Sequence, residues 1–137
     1  MKLVIDTDIL YSYFWKGSLT RSLIMGEDFE LFAPELALKE IKNYKSNIIK
    51  KIKLNEREFE TLLFDIAISV KFIPIEKYKN FLKKALKISP DPDDLDFFAL
   101  ALKLKFPLWS NDLLLKKQDK IRIPTTKEIL GLIRKSE

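Results

Sequence analysis

Acidic residues recur at the ends of apolar or helical segments that lie far apart in the chain. Asp6 and Asp8 follow the run Leu3-Val4-Ile5, and Glu40 sits on a stretch with helical spacing. Asp91-Pro92-Asp93-Asp94 opens a second helical stretch, and Asp112 closes Trp109-Ser110-Asn111-Asp112. The chain has no His and no Cys. That removes the usual general base, the Ser-His-Asp triad, thiol catalysis and thiolate-bound zinc. What remains is carboxylate chemistry. Two carboxylates about 4 Å apart repel by roughly 4 kcal/mol at an effective dielectric near 20. Acids gathered at one place must therefore hold a proton or a cation. A hard divalent ion, which prefers carboxylate oxygens and water, matches this inventory.

Each acid also has a plain structural role to weigh. Asp8 suits the cap of a helix beginning at Ile9, which leaves Asp6, directly after three apolar residues, as the better ligand. Glu40 borders the buried stripe Ile41, Tyr44, Ile48, and a solvated helix glutamate is the simpler reading by spacing. Asp91 before Pro92 is a helix cap, with Asp93 and Asp94 in the first turn. Three carboxylates exceed what capping needs, and Asp94, one turn inside, is the better ligand. Asp112 fits a turn that starts a short helix over 113–117.

The elements that must position these acids alternate in type. Strands are predicted over Lys2–Ile5, Phe29–Ala33, Lys71–Ile75, Pro107–Trp109 and Ile121–Ile123. Helical spacing is predicted over Ile9–Trp15 and Leu19–Met25, and from Pro34 along one stripe to Ile52. Further helices follow the Asn55/Glu58 capping pair, the Tyr78-Phe81-Leu82-Ala85 stripe, Asp91-Pro92, and the Thr125/Glu128 capping box. Alternating strands and helices predict an α/β fold, a three-layer α/β/α sandwich around a mostly parallel sheet. In such sheets ligands bind beyond the carboxyl ends of the strands, where the strand order reverses. Asp6 and Asp112 fall just past two strand ends, and Asp94 begins a helix on the same edge.

The 137 residues, 47% of them hydrophobic with ten Phe, suit one domain over 1–137 with a full core. The net charge of +5 is a mild bias toward polyanions, and solvated lysines give the same number. No apolar run approaches the ~18 residues of a membrane span. The expected location is the cytoplasm, with no membrane contact.

In the order and spacing of these segments the chain resembles the PIN-domain family of metal-dependent nucleases, including the VapC-type toxins. The segments are Leu3 to Leu10, Pro34 to Ile41, Asp91 to Leu102, and Pro107 to Asp112. The resemblance implies a PIN-like fold and an acidic quartet at Asp6, Glu40, Asp94 and Asp112. Ser110 takes the small hydroxyl position two residues before the last Asp, and Asp8, Asp91 and Asp93 support the site. It further implies Mg²⁺- or Mn²⁺-dependent cleavage of single-stranded RNA, Asp6 and Asp94 holding the metal directly and Glu40 and Asp112 acting through waters or a second ion. An antitoxin protein covering the cleft and a homodimer are the partners it implies. Lys42, Lys45, Lys50, Lys51, Lys116 and Lys117 would offset backbone charge if they were not simply solvated. Tyr11, Tyr13 and Trp15 are expected in the core, with base stacking as the alternative.

Two other readings compete. Asp6-Thr7-Asp8 after a strand also resembles the first motif of haloacid-dehalogenase-type phosphatases, but Ile9-Leu10-Tyr11 stand where small residues and Gly usually follow. A non-catalytic PIN-like module that binds RNA or a protein is the third. A receiver-type signalling domain lacks its mid-chain phosphoacceptor, since the third predicted strand runs into Pro74-Ile75-Glu76.

Overall fold

Leu3, Val4 and Ile5 are all fully buried, with no alternation between inward and outward faces. A strand with that pattern is covered on both sides, as in a parallel sheet. In the computed structural model, which describes residues 1–15 and 17–136, this segment is β1 (Lys2–Ile5), an interior strand. β2 (Glu30–Pro34), β3 (Val70–Ile73) and β4 (Leu108–Trp109) complete the sheet, in the order β3-β2-β1-β4. Every described pairing is parallel, with Leu3 opposite Leu31, Leu31 opposite Val70, and Ile5 opposite Trp109.

The connections follow from handedness. α1 (Thr7–Ser12) and α2 (Leu19–Met25) link β1 to β2. α3 (Glu35–Asn43), α4 (Lys45–Ile52) and α5 (Glu56–Ser69) link β2 to β3. Both crossovers step the same way along the sheet, so right-handed connections put these helices on one face. The return from β3 to β4 passes through α6 (Leu82–Ile88) and α7 (Leu95–Leu104) and covers the other face, with α7 against β1 and β2. α7 carries Phe97, Phe98, Ala99, Leu100 and Ala101, each no more than 1% exposed. A helix apolar nearly all round belongs between layers. α8 (Thr126–Ser136) starts beside β4, where Thr126 Oγ1 accepts from the Trp109 indole at 3.0 Å.

The chain leaves β1 toward β2 and returns to pair β4 on the other side of β1. Strand order therefore reverses between β1 and β4, and the crevice opens beyond their carboxyl ends.

Three elements differ from the expectation. The stripe from Pro34 to Ile52 is two helices, broken at Tyr44 (φ −95°, ψ 14°). Lys45, at the start of α4, pairs with Glu60 of α5 at 2.8 Å, on the exposed side of the break. Ile121–Ile123 is not a strand. It offers carbonyls to the sheet, Arg122 to Leu108 N–H (2.9 Å) and Pro124 to Ser110 N–H (3.2 Å). The reciprocal donors fail: Pro124 has no N–H, and Thr126 N–H goes to Asn111 Oδ1 at 2.8 Å. The stripe beginning at Tyr78 becomes regular α-helix only from Leu82, after the short 3₁₀ turn Lys79–Phe81.

Candidate active site

Asp6 is the first residue beyond β1 and only 3% exposed. Its backbone N–H donates to Trp109 O (3.2 Å), continuing the β1–β4 pairing past the strand end. Its side chain caps α1, with Oδ1 accepting from Ile9 N–H at 2.9 Å. The cap expected at Asp8 thus belongs to Asp6, and Asp8 is an exposed acid in the first turn. The reason is register: the helix starts at Thr7, two residues earlier than the apolar spacing suggested.

Ser110 ties the two strand ends together. It is fully buried, its Oγ accepts from Asp112 N–H at 3.0 Å, and its hydroxyl donates to the Asp6 carboxylate. Removing it orphans the partly buried Asp112 N–H and takes a donor from a buried carboxylate, at about 1–3 kcal/mol. Ser110→Ala is therefore expected to lower the urea midpoint by that amount with an unchanged denaturant slope. A change under about 0.5 kcal/mol, the usual range for surface substitutions, would show that the bridge carries nothing.

The remaining acids arrive on separate elements. Asp94 stands at the junction of a 3₁₀ turn (Pro92–Asp94) and α7, held there because the buried face of α7 is fixed against the sheet. Asp91 caps that turn as expected, accepting from Asp93 N–H at 2.9 Å. Glu40 is one residue before the fully buried Ile41 on α3. Asp112 follows β4 and caps the 3₁₀ turn Leu113–Lys117 by accepting from Leu114 N–H at 3.0 Å. Its turn-starting role and its position beside Asp6 coexist.

These side chains meet in one cavity of about 550 Å³, with Asp6, Asp8, Glu40, Asp91, Asp93, Asp94 and Asp112 all on its wall. Asn43 lines it too and was not singled out from the sequence; its position three residues after Glu40 on the same helix was the available signal. Asp96 lies two residues beyond Asp94, in the first turn of α7. It accepts from the buried Tyr78 hydroxyl at 2.6 Å and adds negative field at Glu40.

The electrostatics record the crowding. Burial, then repulsion from Asp8 and Asp112, raises the Asp6 pKa to about 6, against the Ser110 and Ile9 hydrogen bonds that lower it. Burial also raises Asp94 to about 7, reinforced by the charges of Asp6, Asp91, Asp112 and Asp8. Glu40 is raised by burial and then by Asp96 and Asp93. No cation among the described residues appears among the causes acting on these three acids.

The donor set is all oxygen, which suits Mg²⁺ or Mn²⁺ rather than a soft metal. Among the described residues no three acidic groups already close around a single point. That spacing is compatible with Mg²⁺, which keeps several waters and takes only one or two carboxylates directly.

The expected lysines divide. Lys45 is committed to Glu60, and Lys116 pairs with Glu128. Lys51 lines a second groove that shares Asp8 and Tyr44 with the acidic cavity. Of the three aromatics expected in the core, Tyr13 is fully buried, but Trp15 is 42% exposed and lines that groove with Tyr11.

A family model described as PIN domain matches residues 4–128, nearly the whole chain. No curated protein matches it.

Proposed function

This chain belongs to the PIN-domain family, and from that premise we propose that its acidic cavity is the active site of a metal-dependent endoribonuclease acting on single-stranded RNA. PIN domains are generally nucleases that use divalent metals. The observation that carries the reading is the meeting of Asp6, Glu40, Asp94 and Asp112 in one cavity at the β1/β4 reversal, with two of them held well above the usual carboxylate range.

In this reading Asp6 and Asp94 would hold Mg²⁺ or Mn²⁺ directly, with Glu40 and Asp112 acting through waters or a second ion. The bound ion supplies an acidified water as nucleophile and offsets charge on the scissile phosphate. Ser110, donating to the Asp6 carboxylate and accepting from Asp112 N–H, ties the two strand-end acids together. Asp6 surrenders one oxygen to the α1 cap, which fixes the position of the other. The cluster of negative charge repels a phosphate in the absence of a cation.

We further propose that the chain acts in the cytoplasm as the toxin of a toxin–antitoxin pair, forms a homodimer, and is silenced by a partner that places a basic side chain among the carboxylates. The acidic, cation-seeking cavity supports the last of these, because an Arg or Lys there neutralises the same charges the metal does.

A metal titration tests the reading. Purified protein treated with EDTA is expected to leave single-stranded RNA intact and to regain cleavage as Mn²⁺ or Mg²⁺ is added. Cleavage that persists in EDTA, or no cleavage with either ion, leaves the non-catalytic binding module as the better account.

A further inference from the structure

The groove beside the acidic cavity has a volume of about 580 Å³, within the ~300–1,000 Å³ range of small-molecule sites. Its wall carries Tyr11, Trp15, Tyr44, Asn47 and Lys51 over an apolar floor that includes Ile48. Trp15 is 42% exposed and Tyr44 52% exposed, and Lys51 Nζ lies 5.8 Å from the Trp15 ring centroid. Asp8 and Tyr44 line both cavities, so the two adjoin.

We propose that this groove is a base-stacking subsite, which takes an unpaired nucleobase next to the phosphate held at the acids. The assignment rests on the nuclease reading and names how its substrate is chosen. An acidic cavity repels the RNA backbone, so affinity must come from elsewhere. Lys45 and Lys116 are engaged by glutamates. Stacking on an aromatic face is independent of backbone charge and adds to affinity base by base. Asn47 adds one amide with both donors and an acceptor for a base edge, and the Lys51 ammonium over Trp15 draws a neighbouring phosphate. Bases in a duplex have their faces covered by their neighbours. The groove therefore selects single strands without reading sequence.

The chain has two tryptophans, and the other, Trp109, is fully buried. Quenching by an added oligonucleotide thus reports on Trp15. In the Asp6→Asn variant, a short single-stranded adenosine oligoribonucleotide is expected to quench this emission, and an abasic chain of the same length and charge is not. In the wild-type background with Mn²⁺, Trp15→Ala is expected to raise KM for single-stranded RNA about tenfold with kcat within about twofold, and Trp15→Phe to recover most of the loss. Cleavage by wild type with no quenching and with KM unchanged in Trp15→Ala overturns the subsite and leaves the nuclease standing. Quenching without cleavage keeps the subsite and overturns the nuclease. Emission that depends on protein concentration and ignores the oligonucleotide overturns the subsite by assigning the groove to a second copy of the chain.

Discussion

Asp6→Asn is expected to reduce Mn²⁺-dependent RNA cleavage by more than about 100-fold while the protein stays folded. The magnitude follows from ligand chemistry. Loss of a group that merely supports a metal ligand costs about 10–100-fold, and loss of a proposed direct ligand costs more. The folding half of the expectation comes from the cap. Asp6 Oδ1 accepts from Ile9 N–H at 2.9 Å, and Asn caps a helix about as well as Asp. The substitution also removes a carboxylate held near pKa 6 by burial and by Asp8 and Asp112, so the melting temperature should hold or rise. The Ser110 hydroxyl has a second lone pair with which to receive the new amide. Asp6→Ala separates the effects, because it loses the cap as well, at about 0.5–2 kcal/mol. Full activity in Asp6→Asn, with circular dichroism unchanged, would remove Asp6 from the metal site.

Without metal the protein is expected to lose stability as pH rises from about 4 to about 7. A carboxylate whose folded pKa lies above its unfolded value binds more protons folded than unfolded across that window. Its contribution is fully present below the unfolded pKa and lost as pH climbs through the folded one. Asp6 goes from 3.8 to about 6 and Asp94 from 3.8 to about 7. At 1.36 kcal/mol per unit, the buried Asp6 alone corresponds to about 3 kcal/mol. Asp94 is only half-buried and adds less, since water screens it. Mn²⁺ at 100 times its dissociation constant would return about 2.7 kcal/mol.

Asp94→Asn should invert the pattern. At pH 8 in EDTA the variant is expected to melt several degrees above wild type, because a charge disfavoured by burial and then by Asp6, Asp91 and Asp112 is gone. It should then gain little or nothing from Mn²⁺. Thermal melting of both proteins between pH 4 and pH 8, with and without Mn²⁺, reads all of this. A wild-type melting temperature that is flat across that range would mean the acids are not crowded.

The residues themselves determined which chemistry is available and roughly where its parts lie. With neither His nor Cys in the chain, carboxylates had to carry the site. The unbroken apolar run Leu3-Val4-Ile5 is legible as a doubly covered strand because burial on both faces demands it. Asn55 and Glu58 announced their helix through a capping box that forms as written. Asp91-Pro92 likewise announced the start of the next acidic element. All of these are local signals, resolved within one or two turns of chain.

Whatever depended on partners from elsewhere was decided by the tertiary structure alone. Asp6 rather than Asp8 caps α1, because the β1–β4 pairing extends to Asp6 N–H and places its side chain at the helix start. Tyr44 breaks a continuous helical stripe, and just beyond it Lys45 pairs with Glu60 on a neighbouring helix. Ile121–Ile123 has strand-like composition, yet Pro124 withholds the N–H that its pairing with Leu108 would require. Trp15 follows Phe14 in an aromatic run that reads as core, and only the path after α1 leaves it half in solvent above Lys51. The convergence of Glu40, Asp94 and Asp112 on Asp6 belongs with these. Spacing along a chain sets the face of a helix, but the distance between faces is set by the sheet order β3-β2-β1-β4 and by the burial of α7 against it.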